Sequence, residues 1–317
     1  MVMNSKTLHV CLVGLHPLKS YDNVENLIFR ILSFNSEALD VKINIIHSTA
    51  DQESYLLRDR FGQSPIGNFI NWVEYESSLL KLGRKAIARE HTSVVIQHEP
   101  MEFYLQQGIL ETDFVLRCRS DHYLTDEFLK MLLSKEFFKR LENADDKRPI
   151  FSHKVWMPYV GTKIFLDCCD YFYVASVKDQ KKMLITDLEE AESLWLDPFL
   201  SPDRSHLPAQ QRCFAERIFF IKPLLGFLRK NRINEVSEGY WDLIHSNFSL
   251  GGDPSPIKTC FYGWRNSAWC RGKVGYKVAP EATEDLVSTH ASNITNCSKI
   301  NPQNYEFRKL SRQEYIY

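Results

Sequence analysis

Apolar and polar positions fall in blocks along this chain, and their period switches between two and about three and a half. Leu8-His9-Val10-Cys11-Leu12-Val13-Gly14 is short, β-rich and closed by a glycine, which predicts a buried strand. His16-Pro17 then marks a turn. From Asn23 to Ser33, the residues Val24, Leu27, Ile28, Ile31 and Leu32 recur at helical spacing, so a helix follows. Val41 to His47 alternates and runs into His47-Ser48-Thr49, a second strand. A strand, helix and strand in this order predict a parallel pair with a right-handed crossover. Phe69 to Arg89 predicts a long amphipathic helix, and Thr92 to Gln97 a third strand. Pro100 to Leu110 predicts a helix, and Asp113 to Cys118 a fourth strand.

Further along, Asp126 to Leu141 predicts an amphipathic helix and Glu142 to Arg148 a charged turn. Ile150 to Val155 predicts a strand that brings His153 to an edge. Thr162 to Val174 is rich in aromatics and carries Asp167 and Asp170. Lys178 to Leu194 predicts a helix, and Leu196 to Pro208, with three prolines, a loop. Ala209 to Lys230 is apolar and helical in pattern, with Pro223 placed to kink or break it. Gly251 to Pro256 is a turn, and Trp264 and Trp269 predict that the rest packs as an irregular tail. The alternation predicts an α/β fold: residues 1–250 as one sheet-and-helix domain, with residues 251–317 packed on it as an extension.

Composition narrows this little. The 317 residues are 44% hydrophobic and 25% charged, enough for a large core in a soluble globular protein. A formal net charge of -1 excludes the basic excess of a dedicated nucleic-acid binder. The eight cysteines are scattered with no C-x-x-C pair, which disfavours a structural zinc site. Cys11 and Cys118 lie in apolar runs, where a free thiol behaves as a small core residue. The first residues lack the apolar core of a signal peptide, and no apolar stretch has transmembrane length. These features predict a cytoplasmic chain with reduced thiols.

Three carboxylate clusters are candidates for chemistry. In the first, the apolar Phe114-Val115-Leu116 ends in Arg117-Cys118-Arg119-Ser120-Asp121-His122. Strand alternation puts Arg117, Arg119 and Asp121 on one face. Arginine suits bidentate contact with phosphate, and a divalent ion on Asp121 would neutralise a leaving diphosphate. The same residues fit an Arg–Asp ion pair at a strand end, with Asp121 capping the helix that Thr125 to Lys135 suggests. The second cluster is Asp167-Cys168-Cys169-Asp170-Tyr171-Phe172, where Asp170 can take an acceptor proton or cap the next segment. The third is Glu216, flanked by Phe214, Ile218 and Phe219, which either pairs with Arg212 or Arg217 or faces a site. His47, His153 and His290 end or follow apolar segments, the usual place of a structural histidine. No G-x-G-x-x-G, P-loop or G-x-S-x-G motif occurs.

The order of four segments resembles the WavE-type lipopolysaccharide-synthesis proteins, regarded as glycosyltransferases. They are Val10 to Gly14, Asp113 to Asp121, Phe165 to Phe172 and Pro208 to Arg217, and the likeness spans about residues 8 to 230. The Arg-Ser-Asp block is its most specific part. The resemblance implies a GT-A-like fold, a nucleotide-binding α/β sheet joined to an acceptor-binding half. In such enzymes an Asp-x-Asp motif binds the metal, Mn²⁺ or Mg²⁺, and the donor diphosphate. Here the matching positions read Arg119-Ser120-Asp121, with one carboxylate, which puts metal dependence in question. In this picture Arg117, Arg119 and Asp121 contact the donor, with Asp121 as metal ligand. Asp170 and Glu216 then serve as acceptor-activating base or sugar-binding acid.

The function this implies is transfer of a sugar from a nucleotide-sugar donor to a surface glycan or glycolipid, such as lipopolysaccharide or capsule. Two alternatives share the same residues. One is a nucleotidyl or phosphoalcohol transferase of the same polymers. The other is a non-catalytic assembly protein docking through its aromatic tail. Phe214 to Lys230, with Arg217, Lys222, Arg229 and Lys230, also fits peripheral contact with anionic headgroups, although a core helix accounts for the same apolar positions.

Overall fold

The computed structural model describes residues 6–36, 39–77, 89–120, 123–124, 126–142, 150–157, 172–195, 215–232, 243, 247–250 and 269–270. A seven-stranded sheet organises them. Its strands are β1 (Thr7–Val13), β2 (Asp40–Ser48), β3 (Ile70–Tyr75), β4 (Phe114–Cys118), β6 (Val155–Met157), β7 (Tyr173–Ser176) and β8 (Phe248–Leu250), in the order β3-β2-β1-β4-β7-β6-β8. All neighbours are parallel except β7, which runs against both β4 and β6. A separate two-stranded pair joins β5 (Tyr123–Leu124) to β9 (Trp269–Cys270). The result is a mixed α/β sheet flanked by helices, consistent with the GT-A-like expectation.

β1 lies inside the sheet between β2 and β4, and all seven of its residues are buried. Its alternate side chains feed two layers. Leu8, Val10 and Leu12 pack with Ile43, Ile45, Phe114 and Leu116 beneath α1 (Tyr21–Phe34), α4 (Asp126–Leu132) and α5 (Lys135–Arg140). Cys11 and Val13 pack with Ile46, Val73 and Val115 beneath α3 (Arg89–Leu105), through Met101, Tyr104 and Leu105. Cys11 and Cys118 are both buried, as small core residues. A third cluster extends the core past β7 and β6. There α8 (Ala215–Asn231) buries Phe220, Ile221, Leu224, Leu225 and Leu228 against Tyr173, Phe151 and Phe248. The apolar stripe of α8 is thus a core face. Lys222 on the same helix donates to the Leu184 carbonyl (2.9 Å) and pairs with Glu190 (2.9 Å) on α7 (Leu188–Trp195). No helix among the described residues is long and apolar enough to cross a membrane.

Several local readings are corrected. Residues 70–75 form strand β3, not a helix, after a 3₁₀ turn over Pro65–Phe69. β3 is an edge strand, so Asn71 and Glu74 stay exposed and the spacing of its apolar residues mimics a helical period. Thr92 to Gln97 is helical, part of α3. Its β-branched run is overridden because residues at helical spacing (Val94, His98, Met101, Leu105) are all buried, Met101 and Leu105 in the layer under the sheet. The segment 126–141 is two helices, divided where Ser134 caps the second by accepting from the Phe137 N–H. Likewise 178–194 holds α6 (Val177–Met183) and α7. α8 runs through Pro223 without a break in assignment. The helix α2 (Gln52–Gly62) had no apolar stripe to announce it. Asp51 caps it. His153 forms a bridge with Glu142 ahead of β6, so the strand predicted from Ile150 starts only at Val155.

Candidate functional site

The strand order reverses beside β1. The chain steps outward from β1 to β2 to β3, then returns to lay β4 on the other side of β1. In open α/β sheets, ligands are taken outside the carboxyl ends of the strands at such a reversal. Two loops leave the sheet there: Gly14-Leu15-His16-Pro17 after β1 and Arg119-Ser120 after β4. Gly14 ends β1 with φ +97°, a backbone region that a side chain would strain. The turn leaves Leu15 75% exposed and folds His16 back into the interior, where it is fully buried.

His16 ties the loops together. Its Nε2 lies 3.0 Å from the Ile46 carbonyl oxygen of β2, which can only accept, so Nε2 carries the proton. In the neutral ring Nδ1 is then the acceptor, and the Ser120 hydroxyl, which also lies 3.5 Å from the Leu15 carbonyl oxygen, donates to it at 3.1 Å. The His16 backbone N–H donates to Asp51 Oδ2 (3.1 Å). Asp51 also accepts from the Ser54 N–H and hydroxyl at the start of α2. From α1, Asn23 Nδ2 donates to the Ser120 carbonyl (2.6 Å). The carboxyl ends of β1, β2 and β4 are therefore clamped to one another and to two helices.

On the α3 side, the polar residues lie under the edge. Arg117 is the largest fully buried side chain, and its guanidinium donates to Gln97. His98 is fully buried and accepts the Ile185 N–H at Nδ1 (2.8 Å). Burial first, then the charges of Arg117 and Lys222, hold His98 well below the usual histidine range, so it is neutral. Past β3, the Ser77 hydroxyl donates to the buried Glu99 carboxylate (2.7 Å). Alternation does put Arg117 on one face of β4, but that face is covered by α3, and Arg117 spans the gap between sheet and helix. Arg119, beyond the last ladder residue, is only half-buried.

Asp121 and Asp170 lie outside the described residues. Glu216 stands in the first turn of α8, and its side chain is not among those described. His290 also falls outside. Among the described residues, no group of three or more His, Cys, Asp or Glu is placed to hold a metal ion. His47 and His153 are packed against rings: His47 against Tyr55 (5.2 Å between centroids) and Trp72, His153 against Phe114 (5.2 Å). Burial lowers the pKa of both, as suits structural histidines.

Sequence reasoning passed over His16, Asn23, Ser77, His98 and Glu99. The signal for His16 was its place, two residues past the first strand and just before Pro17. Gln97-His98-Glu99 is a polar run on what the pattern made the tail of a strand.

The chain matches no family model and no curated protein sequence. The resemblance to WavE-type proteins therefore stands on motif order. Among solved structures it is similar to the crystal structure of S. aureus TarS 1–349. That overlap covers 92% of this chain and 78% of that chain at 12% identity, with a TM-score of 0.26. At that score the likeness assigns no chemistry to this chain.

Proposed function

We propose that this protein is a glycosyltransferase, moving a sugar from a nucleotide-sugar donor to a surface glycan or glycolipid such as lipopolysaccharide or capsule. One observation carries the reading. Arg119 and Ser120, which precede Asp121 in the chain, follow β4 where the strand order reverses, and Ser120 is joined by His16 to the loop that follows β1. A donor diphosphate brings two or more negative charges to that edge. Arg119, half-exposed at the end of β4, is suited to meet them bidentately. Asp121 follows Ser120 in the chain and takes the donor ribose, the phosphate or a divalent ion. A bound Mn²⁺ or Mg²⁺ would supply charge neutralisation for the leaving diphosphate. The burial of Arg117 against Gln97 leaves direct donor contact to Arg119 and Asp121. Asp170 and Glu216 are the carboxylates assigned to the acceptor, one taking the proton of its attacking hydroxyl as general base.

The test is calorimetry of the full chain against a panel of UDP-, GDP- and CMP-sugars, each with and without Mn²⁺ or Mg²⁺. The wild-type protein binds at least one donor, and D121N binds it at least about tenfold more weakly with an unchanged far-UV spectrum, the loss of roughly one charge-assisted contact. Product mass then shows a bare sugar increment. An increment that includes phosphate would move the chain to phosphoalcohol transfer. If no donor binds, or D121N matches wild type, the assignment is wrong.

A further inference from the structure

We infer that Ser120 is a positioning residue for the donor edge, and that His16 sets its direction. This inference rests on the glycosyltransferase reading of the same edge. Ser120 is 1% exposed, so its hydroxyl is closed to solvent and ligand and acts through its partners. Those partners grip it at both ends: His16 Nδ1 accepts from the hydroxyl at 3.1 Å, and Asn23 donates to the carbonyl at 2.6 Å. His16 has no freedom to exchange roles, because the Ile46 carbonyl at 3.0 Å keeps the proton on Nε2. Its backbone is held in turn by Asp51, the cap of α2. The order of support runs from β2 and α2, through His16, to Ser120, whose carbonyl carbon is bonded to Asp121. A half-exposed arginine on one side of Ser120 and a carboxylate on the other need a fixed pivot between them. A wrong direction of departure from β4 would misplace both, and small misplacements at a reacting centre cost large factors in rate.

His16 and Ser120 resemble two members of a nucleophile–base pair, and the geometry gives them a different job. The acid that would complete such a set, Asp51, takes the backbone N–H of His16 and not its ring. The ring's second nitrogen goes to a backbone carbonyl. His16 is therefore fixed between Ser120 and a backbone carbonyl, with no carboxylate on its ring to complete a proton relay.

The experiment uses the full chain and four variants: S120A, S120T, H16Q and H16Q/S120A. S120A removes one oxygen. H16Q keeps an amide that can donate to the Ile46 carbonyl and removes the Nδ1 acceptor. Two readouts are taken: amide hydrogen exchange of peptides spanning residues 118–124, and calorimetric affinity for whichever donor of the nucleotide-sugar panel binds wild type. S120A and H16Q each speed exchange in that segment about tenfold and weaken donor binding about tenfold, the size of one buried hydrogen bond. The double variant is no worse than either single one, and S120T restores both readouts. Unchanged exchange, or additive losses, would overturn the link between His16 and Ser120. Faster exchange with unaltered donor affinity would make the pair an element of the fold alone and overturn the positioning role. If wild type binds no donor, the glycosyltransferase reading fails and takes the positioning role with it. The exchange arm then still reports whether His16 directs Ser120, so the two failures are told apart.

Discussion

Replacing Asp179 by asparagine will destabilise this protein more than any other single-atom change among the described residues that we consider. The carboxylate is fully buried at the start of α6. Its Oδ1 accepts from the Ser152 N–H (2.7 Å) and from Lys182 Nζ (2.9 Å). Its Oδ2 accepts from the His153 N–H (2.9 Å) and the Ser176 hydroxyl (2.7 Å). These contacts join the approach to β6, the end of β7 and the first turn of α6. Burial alone would raise the Asp179 pKa. The donors Ser152, Ser176, Lys182 and His153 together outweigh it and hold the pKa below the ordinary carboxylate value. An asparagine offers one accepting oxygen and turns an NH₂ toward two donors. Two bonds to a charged group are lost at about 1.5–3 kcal/mol each, so D179N costs about 3–6 kcal/mol, close to the range for breaking a buried pair. That is a large share of the roughly 5–15 kcal/mol that holds a typical fold. Urea denaturation at neutral pH, read as the midpoint at constant slope, measures it. Because the folded pKa is depressed, the part of the wild-type advantage that depends on the charge is complete above the unfolded carboxylate value of about 3.9 and is lost as pH falls through the lower folded value. The gap between wild type and D179N therefore narrows in acid. A loss under about 1 kcal/mol at neutral pH, or a gap that does not narrow in acid, would refute the clamp.

Two further outcomes follow from the same coordinates. His9, His47, His98 and His153 are all held below the usual histidine pKa, with burial the largest cause for each. The unfolded chain binds these protons first, so stability is full above about pH 6.5 and declines below it, by up to about 1.4 kcal/mol per pH unit for each site. Urea midpoints between pH 8 and 5 that stay flat or rise would contradict this. At Gly67 an added Cβ would stand 2.2 Å from the Phe61 carbonyl oxygen at the end of α2. That neighbour is backbone and cannot rotate away, so Gly67→Ala costs about 2 kcal/mol or more. A thermal midpoint equal to wild type would show that the turn yields.

What the sequence made legible was the centre of the sheet. β1, β2 and β4 read correctly because long runs of their residues are buried on both faces, and a strand in that position has little else to encode. Legibility fell off with distance from β1. β3 has one neighbour and an exposed flank, and its pattern became helix-like. α2 is held by its cap and by packing at Leu57 and Phe61 more than by an apolar stripe, so no periodicity announced it. α3 carries a β-branched run that intrinsic preference assigns to a strand. Its contact with the sheet decides otherwise.

The candidate site divides along the same physical line. Its covalent part, Arg119-Ser120-Asp121, was visible because a charged tripeptide after an apolar run is a local signal. Its supporting part was not, since His16 and Ser120 are 104 positions apart and Asn23 and Ser120 are 97 apart. A histidine before a proline and a serine between two charges carry no mark of belonging together until β1 and β4 become neighbours. Arg117 shows the converse. Alternation correctly gave its face, yet a face has a fate only once its cover is known, and α3 closes over it with Gln97. Period-two arithmetic sorts side chains into two sets. Which set meets a ligand depends on where the packed layer stops, and β4 pairs with β1 only as far as Cys118, one residue short of Arg119. Arg119, just past the end of that ladder, is only half-buried, so its charge meets a smaller cost of burial than that of Arg117, and the proposed donor contact is given to the strand end for that reason.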